Sequence, residues 1–285
     1  MGAFKGKARR MKFRVTGNGL LVTYVTAFFI YLESPLAVIV FASFNSGQIV
    51  RFPPAGFSLK WYGALLDLLR NAPGMKPGLV DAVFTSLWLG VASTIGAVIA
   101  GTLGAYALQR AKVPGTQILR QLFLLPLLFP QIVTGIGLVL WFSALGGVPT
   151  WLRLVLGHLI ITLPCVVITV TASLETLDRS LEDAAMNLGA NRVATFFHIT
   201  LPSIRSGVLA GAIFAWLTSF SNFTVTFFLF SGEMNPLPPW LYQDIQYYID
   251  PSVAALSTCV LLITLSVLLM INRLQALGRV VSVSK

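Results

Sequence analysis

Few side chains in this sequence are equipped for chemistry, and most of those stand in apolar surroundings. Glu33 precedes Pro35 by two residues inside a long apolar run. An ionisable group at membrane depth marks a substrate path or a paired structural contact. Gln131 and Thr134 follow Pro126 and Pro130 and flank Gly135 and Gly137. Helices broken near the midplane often line a transport path, and an ordinary proline kink fits the same residues. Trp216, Ser219, Ser221, Asn222 and Thr224, surrounded by apolar residues in a further run, could line a translocation path. Asn222 must face protein rather than lipid, which suits packing and a pathway equally. His158, one of two histidines, reads as a satisfied bundle residue. Cys165 and Cys259 fall inside apolar runs without metal-ligand spacing. No nucleophile–base pair, metal cluster or G-x-x-x-x-G-K-[ST] phosphate loop occurs in the sequence. The chain is therefore expected to hold no metal or cofactor and to hydrolyse no ATP.

One stretch departs from the apolar character, running from Glu182 to Pro202 as EDAAMNLGANRVATFFHITLP. Ser180 and Asp183 have the spacing of a capping box, which predicts a helix through Glu182, Asp183, Ala184, Ala185, Met186 and Asn187. Gly189 ends it, because glycine takes the left-handed conformation without strain. A second short helix is expected from Asn191, with Val193, Phe196, Phe197 and Ile199 on it, before Leu201 and Pro202. Ala184, Ala185 and Gly189 give the first helix a smooth face, and the second is expected to expose aromatics. Two short helices burying so little are not stable alone. They suit docking into a partner's groove, or an ordinary interfacial loop.

These residues must be positioned by elements that lie in lipid. Of 285 residues, 56% are hydrophobic and 11% charged, and the mean hydropathy is +0.81. A soluble chain carries about 25% charged residues. The net charge of +10 is scattered between apolar runs and makes no continuous basic face, which argues against nucleic acid. It suits topology signals and anionic lipid headgroups. Six runs approach the ~20 residues that a membrane-crossing helix needs. They are Leu20 to Phe44, Val80 to Leu108, Ile118 to Ser143, Leu152 to Leu174, Val208 to Phe230 and Ser252 to Ile271. The first follows Lys5, Lys7, Arg9, Arg10, Lys12 and Arg14, and reads as an uncleaved helix rather than a signal peptide. With both termini in the cytoplasm, fifteen of the twenty basic residues lie on that side. The positive-inside rule favours this orientation. The expected division is a basic N-tail over 1–19, a transmembrane domain over 20–272 with the special loop at about 177–205, and a C-tail over 273–285.

Small residues recur every fourth position at Ala97, Gly101 and Ala105, and again at Gly207, Gly211 and Ala215. Such stripes suit close helix packing in lipid. An amphipathic helix is expected around Trp61 to Leu69. With Glu233 to Tyr248 it would form the outer surface.

The spacing of the 182–202 stretch resembles the EAA loop of binding-protein-dependent ABC importer permeases. Asp183-Ala184-Ala185, Gly189, Ile199 and Leu201-Pro202 fall on that pattern in register, with Asp183 in place of its leading Glu. The wider chain is similar to the second permease of spermidine/putrescine systems. The similarity rests on Ser43-Phe44-Asn45-Ser46, Lys60-Trp61-Tyr62, Ala105-Tyr106-Ala107-Leu108, Phe129-Pro130-Gln131-Ile132-Val133, His158, Leu163-Pro164 and Asp250-Pro251. The resemblance implies an all-α, six-span membrane subunit of the type I importer fold in the bacterial inner membrane. Its 182–202 loop would form coupling helices seated on an ATPase. The implied partners are a homologous permease, two subunits that bind ATP and Mg, and a periplasmic solute-binding protein on the outer surface. One departure bears on cargo: the fifth span reads Ser219-Phe220-Ser221-Asn222-Phe223, without the carboxylates usual in polyamine permeases. A polyamine, a smaller amine, an amino-acid-like zwitterion and an organic anion all stay open. The rival class is a stand-alone secondary transporter or channel, but no internal repeat or paired intramembrane charge supports it. A membrane scaffold without transport is a third.

Overall fold

The computed structural model describes residues 19–69, 78–110, 115–247 and 251–283. The basic N-tail, Arg70, Lys76, Lys112, Asp250 and Lys285 lie outside the described residues. Within them every element is helical, apart from the isolated bridges Asn45 to Phe57 and Ser231 to Met234. Lipid offers the backbone no partner, so apolar runs of this length satisfy their own amides as helices.

The helices are α1 (Gly19–Ser43), α2 (Lys60–Leu69), α3 (Leu79–Arg110), α4 (Thr116–Leu128), α5 (Gln131–Leu145) and α6 (Thr150–Thr176). The loop helix α7 (Arg179–Asn187) follows. Next, α8 (Arg192–Thr195), a π-helical turn (Phe196–Thr200) and α9 (Leu201–Ser203) run on as one rod. Then come α10 (Arg205–Phe220), α11 (Thr224–Leu229), α12 (Leu237–Tyr247) and α13 (Pro251–Val283). By length and composition α1, α3 and α6 can each cross a membrane. Two helix pairs join them if each counts as one bent span: α4 with α5, at 103°, and the 192–203 rod with α10, at 73°. The apolar part of α13, Pro251–Ser266, is shorter.

Two expected spans are interrupted. In the third, Phe129 is extended because Pro130 follows it, and α5 starts anew at Gln131. Of the two prolines expected to interrupt this span, only Pro130 does so: Pro126 stays inside α4, and the chain turns through 103° between α4 and α5. In the fifth, no proline intervenes, yet α10 ends at Phe220 and α11 begins at Thr224. The expected continuous helix from Val208 to Phe230 is therefore corrected to two pieces.

The core is organised around α6. Val166 fills the space that Gly101 leaves on α3, where a Cβ would stand 2.8 Å from the valine Cβ. On α10, Gly207 and Gly211 lie against Thr169, Ser173 and Val166 of α6. Ala97, Ala105 and Ala215 complete both stripes at zero exposure. Lipid gives apolar side chains little reason to associate, so the close approach that small residues permit is what holds these helices together. Thr162 and Thr169 on α6 donate to carbonyls one turn back, which satisfies their hydroxyls inside the bundle. On the other side, α2 and α12 join α3 and α13 through Trp61, Leu65, Ala82, Leu237, Trp240 and Leu256. The amphipathic helix expected at 61–69 is α2, with Trp61 and Leu65 buried one turn apart. α1 rests on α13 and exposes most of its length.

Candidate functional site

The 177–205 loop has two distinct faces. Its first helix begins with Asp178, whose side chain accepts the Ser180 amide at 2.9 Å. That bond, with a second from the Ser180 hydroxyl, holds the Asp178 carboxyl below the usual carboxylate range. The expected Ser180 to Asp183 capping box is corrected: Ser180 is the second helical residue, and the carboxylate ahead of it takes the capping position. At the far end, the Gly189 amide donates to Met186 O at 3.0 Å and the Ala190 amide to Ala185 O at 3.1 Å. This paired closure is a Schellman motif and requires a left-handed residue. Gly189 supplies it at φ 93°. Asn191 caps the next helix by accepting the Ala194 amide at 2.7 Å.

The inward face is clamped to the end of α3. Glu182 is buried at 5% exposure. Its Oε1 accepts the Thr200 hydroxyl at 2.6 Å, and its Oε2 lies 2.6 Å from Arg110 Nε. Phe196 stacks edge-on against Tyr106 at 4.9 Å, and Arg179 donates to Gln109 O at 2.8 Å. Two elements of the loop, α7 and the π-helical turn, thus converge on the end of α3. Further along the same side, Arg120 and Gln109 both reach Glu175 Oε1 at 3.1 Å.

The outward face is apolar and open. Leu188 is 91% exposed, Val193 66% and Phe197 57%. Asp183, Ala184, Gly189 and Pro202 are exposed beside them, while Ala185, Ile199 and Leu201 are half-buried. The expectation that the second helix exposes its aromatics holds for Phe197 and is corrected for Phe196, which turns onto Tyr106. A loop that buries a charge inward and leaves leucine, valine and phenylalanine outward is built as an interface.

Inside the bundle a second arrangement joins the two broken spans. His158 is 1% exposed, with Nδ1 2.7 Å from Ser219 Oγ and Nε2 2.9 Å from Thr226 Oγ1. The Thr226 hydroxyl spends its proton on Asn222 O. Nε2 must therefore carry the histidine hydrogen, and Nδ1 accepts from Ser219. Ser93 reaches Ser219 at 2.9 Å. Asn222 then does two things: its Oδ1 accepts the Val225 amide at 2.9 Å, and its Nδ2 donates to Gln131 Oε1 at 3.0 Å. The first bond starts α11 after the break. The second ties that break to the start of α5.

Of the residues read from sequence, Gln131, Ser219 and Asn222 come together here, and Thr134 lies one turn beyond Gln131. His158 is the satisfied bundle residue expected. Trp216 stacks on Phe220 at 5.0 Å and lies over Gly90 of α3. Glu33 is not part of the group, since it is exposed on α1. Sequence reasoning missed Arg110, Thr200, Ser93 and Thr226. Arg110 stood only among the fifteen basic residues assigned to the cytoplasmic side, and nothing local distinguishes the other three.

Residues 93–277 match the family described as binding-protein-dependent transport system inner membrane component. The chain belongs to this family. The permease is 31% identical over 240 residues to the putrescine transport system permease protein PotI of Escherichia coli (strain K12), covering 82% of each chain. It is 29% identical to the spermidine/putrescine transport system permease protein PotC of the same strain, covering 85% of this chain and 88% of that one. It is also 32% identical to the molybdenum transport system permease protein ModB of Haemophilus influenzae, over 59% of this chain and 80% of that one. In fold, it is similar to a bacterial ABC transporter involved in the import of the acidic polysaccharide alginate. The TM-score is 0.65 at 14% identity, with 90% of this chain and 94% of that one covered. An amino acid ABC transporter gives a TM-score of 0.52 at 15% identity, with 75% and 96% covered. The permease is thus a membrane subunit of an ABC importer in the bacterial inner membrane, and this displaces the stand-alone transporter and the scaffold.

Proposed function

We propose that this permease forms one membrane half of an ATP-driven importer. It works with a homologous permease, two ATP-binding subunits and a periplasmic solute-binding protein. The observation that carries this is the two-faced loop, clamped inward to α3 and open outward at Leu188, Val193 and Phe197. Asp183, Ala184, Ala185, Gly189, Ile199, Leu201 and Pro202 shape the seat for an ATPase subunit, and Glu182 secures it from within. ATP and Mg belong to that partner, so the chain itself needs no cofactor. Six crossings with both termini in the cytoplasm follow from counting α4 with α5 and α10 with α11 as one crossing each. Lipid surrounds α1. The 20–272 permease domain and its two tails follow from the same count.

The translocation path runs past Gln131, Thr134, Trp216, Ser219 and Asn222, where both broken spans meet. Glu33 is a pathway residue only by being a carboxylate in an apolar helix. Replacing it with Gln and finding unchanged uptake affinity and rate would remove it. For cargo, the polyamine permeases among the relatives support an amine. The uncharged Ser219 to Phe223 segment supports a smaller amine or amino-acid-like compound over a long polycation. An organic anion is the second reading, supported by that same lack of carboxylates and by the similarity to a molybdenum permease.

Recovery of the tagged chain from its native membrane in gentle detergent, with mass spectrometry of what accompanies it, tests the assembly. The wild type should bring an ATPase subunit and a second permease, and Gly189→Asp should lose the ATPase subunit. Ligand screening of the accompanying binding protein then names the cargo. Recovery of the chain alone would refute the proposal.

A further inference from the structure

We propose that the buried Glu182–Arg110 pair is the contact through which movement of the 177–205 loop reaches the membrane helices, and that the exposed Asp183 beside it has no part in that step. The proposal rests on the ATPase-docking reading given above. Asp183 and Glu182 are adjacent acids with opposite surroundings. Asp183 is exposed, whereas both oxygens of Glu182 are engaged within the chain. The carboxylate of Glu182 bridges three elements: its own α7, the π-helical turn at Thr200, and the last residue of α3. Thr200 has no exposed surface, and four residues later Ile204, at 1% exposure, marks the 73° bend into α10. The same carboxylate therefore holds the entry to α10 and the end of α3, the two helices that flank α6 through the small-residue stripes.

A pair of opposite charges this close and this buried resists separation, because each partner left alone would be an uncompensated buried charge. A push on the outward face at Leu188 or Phe197 then displaces α3 and α10 together. Without the pair, the loop still meets α3 through the Phe196 ring on Tyr106, the Arg179 bond to Gln109 at an exposed position, and the apolar cluster that Ile204 shares with Ala105 and Tyr106, none of which ties α7 to both Thr200 and α3 as the carboxylate does. Glu182 is thus a positioning residue. It is not itself a seat for the partner.

The test uses the whole transporter purified with its ATPase subunits and binding protein, in lipid nanodiscs. Cys165 and Cys259 are replaced by Ala, and Gln131→Cys reports on the seam. The probe is ATP with vanadate, and the reading is the change in the rate at which a membrane-impermeant maleimide labels position 131. In the parent complex the change is expected to be about fivefold or more, the lower range of a coupling between distant sites. Glu182→Gln keeps the shape and the Thr200 contact. It should retain the ATPase subunit and its ATP hydrolysis while most of the labelling change is lost. Arg110→Gln should do the same, and the double variant should be no worse than either single one, as for two residues acting through one contact. Effects that multiply in the double variant would overturn the proposal, as would an unaltered labelling change or loss of the ATPase subunit from Glu182→Gln. The docking reading is judged separately: Leu188→Glu should shed the ATPase subunit, and its retention there, or a parent complex that ignores ATP and vanadate, would sink that reading instead.

Discussion

Gly207 leaves less room against α6 than any other glycine of α10, and its replacement by alanine, measured against a control, reads that approach. A Cβ at 207 would overlap Ser173 Oγ and stand 2.8 Å from the backbone oxygen of Thr169. The serine hydroxyl can rotate away, but Ser173 Cβ at 2.7 Å and the Thr169 oxygen are fixed by the backbone of α6, so the helices must part by several tenths of an ångström to reach normal contact. Overpacking of this kind costs about 1–3 kcal/mol. Alanine also stiffens a helix relative to glycine, by about 0.5–1 kcal/mol. Gly137 in α5 isolates that second effect, because a Cβ there meets nothing within 4 Å. Gly137→Ala should raise the melting temperature of the purified permease in detergent, and Gly207→Ala should lower it. The gap between them is the overpacking cost itself. At about 2–4 °C per kcal/mol for a domain approaching this size, it comes to several degrees. The assay is intrinsic tryptophan fluorescence during heating. A Gly207→Ala protein that melts at or above the Gly137→Ala protein would refute the close approach of α10 to α6, and with it the packing logic of the bundle.

The neighbouring phenylalanines of the loop should behave oppositely. Phe196→Ala, which empties a buried site against Tyr106, should destabilise the permease by about 3–5 kcal/mol. Phe197→Ala should leave the melting temperature unchanged and weaken retention of the ATPase subunit, checked by co-purification. At the break in the fifth span, Asn222→Ala removes the acceptor for the Val225 amide, worth about 1 kcal/mol for a helix cap. Hydrogen exchange over 224–229 should quicken, while Asn222→Asp, which keeps an acceptor, should protect that segment as the wild type does. Asp178 predicts a pH effect. Its carboxyl is held below the usual range by the Ser180 amide, so its stabilisation is complete above the ordinary carboxylate pKa of about 4 and fades as pH falls through the lower folded value. After correction for intrinsic rates, exchange in 179–187 should therefore be slower in the wild type than in Asp178→Ala at neutral pH. The two should converge in acid.

Much of the architecture was legible because lipid leaves the chain little choice. An apolar run of about 20 residues must close its own hydrogen bonds, so α1, α3, α6 and α13 could be read from hydropathy. Pro130 announced the break before α5 by forcing Phe129 out of the helix. Gly189 announced the end of α7 because few other residues take its backbone angle. The small-residue stripes announced which faces of α3 and α10 would be buried, though not that both would meet α6.

The candidate site was less legible, for reasons of geometry rather than chemistry. Glu182 and Asp183 differ by one position, about 100° around a helix. Which of them turns inward depends on where α3 ends in space, and the loop's own residues do not record that. The cap at Asp178 was hidden by a better-looking pattern that starts two residues on, at Ser180. The break at 221–223 has no proline or glycine to signal it. It exists because Asn222 captures the Val225 amide and reaches Gln131, 91 positions away. His158, Ser219, Thr226 and Ser93 are joined across 61 to 126 positions of sequence. Spacing along the chain therefore determined that this protein is helical, lies in a membrane and carries a loop of two short helices between its apolar spans. Which acid is buried, which broken ends meet and which hydroxyls satisfy His158 were decided only by tertiary packing, because a hydrogen bond depends on a separation near 3 Å and the sequence records order alone.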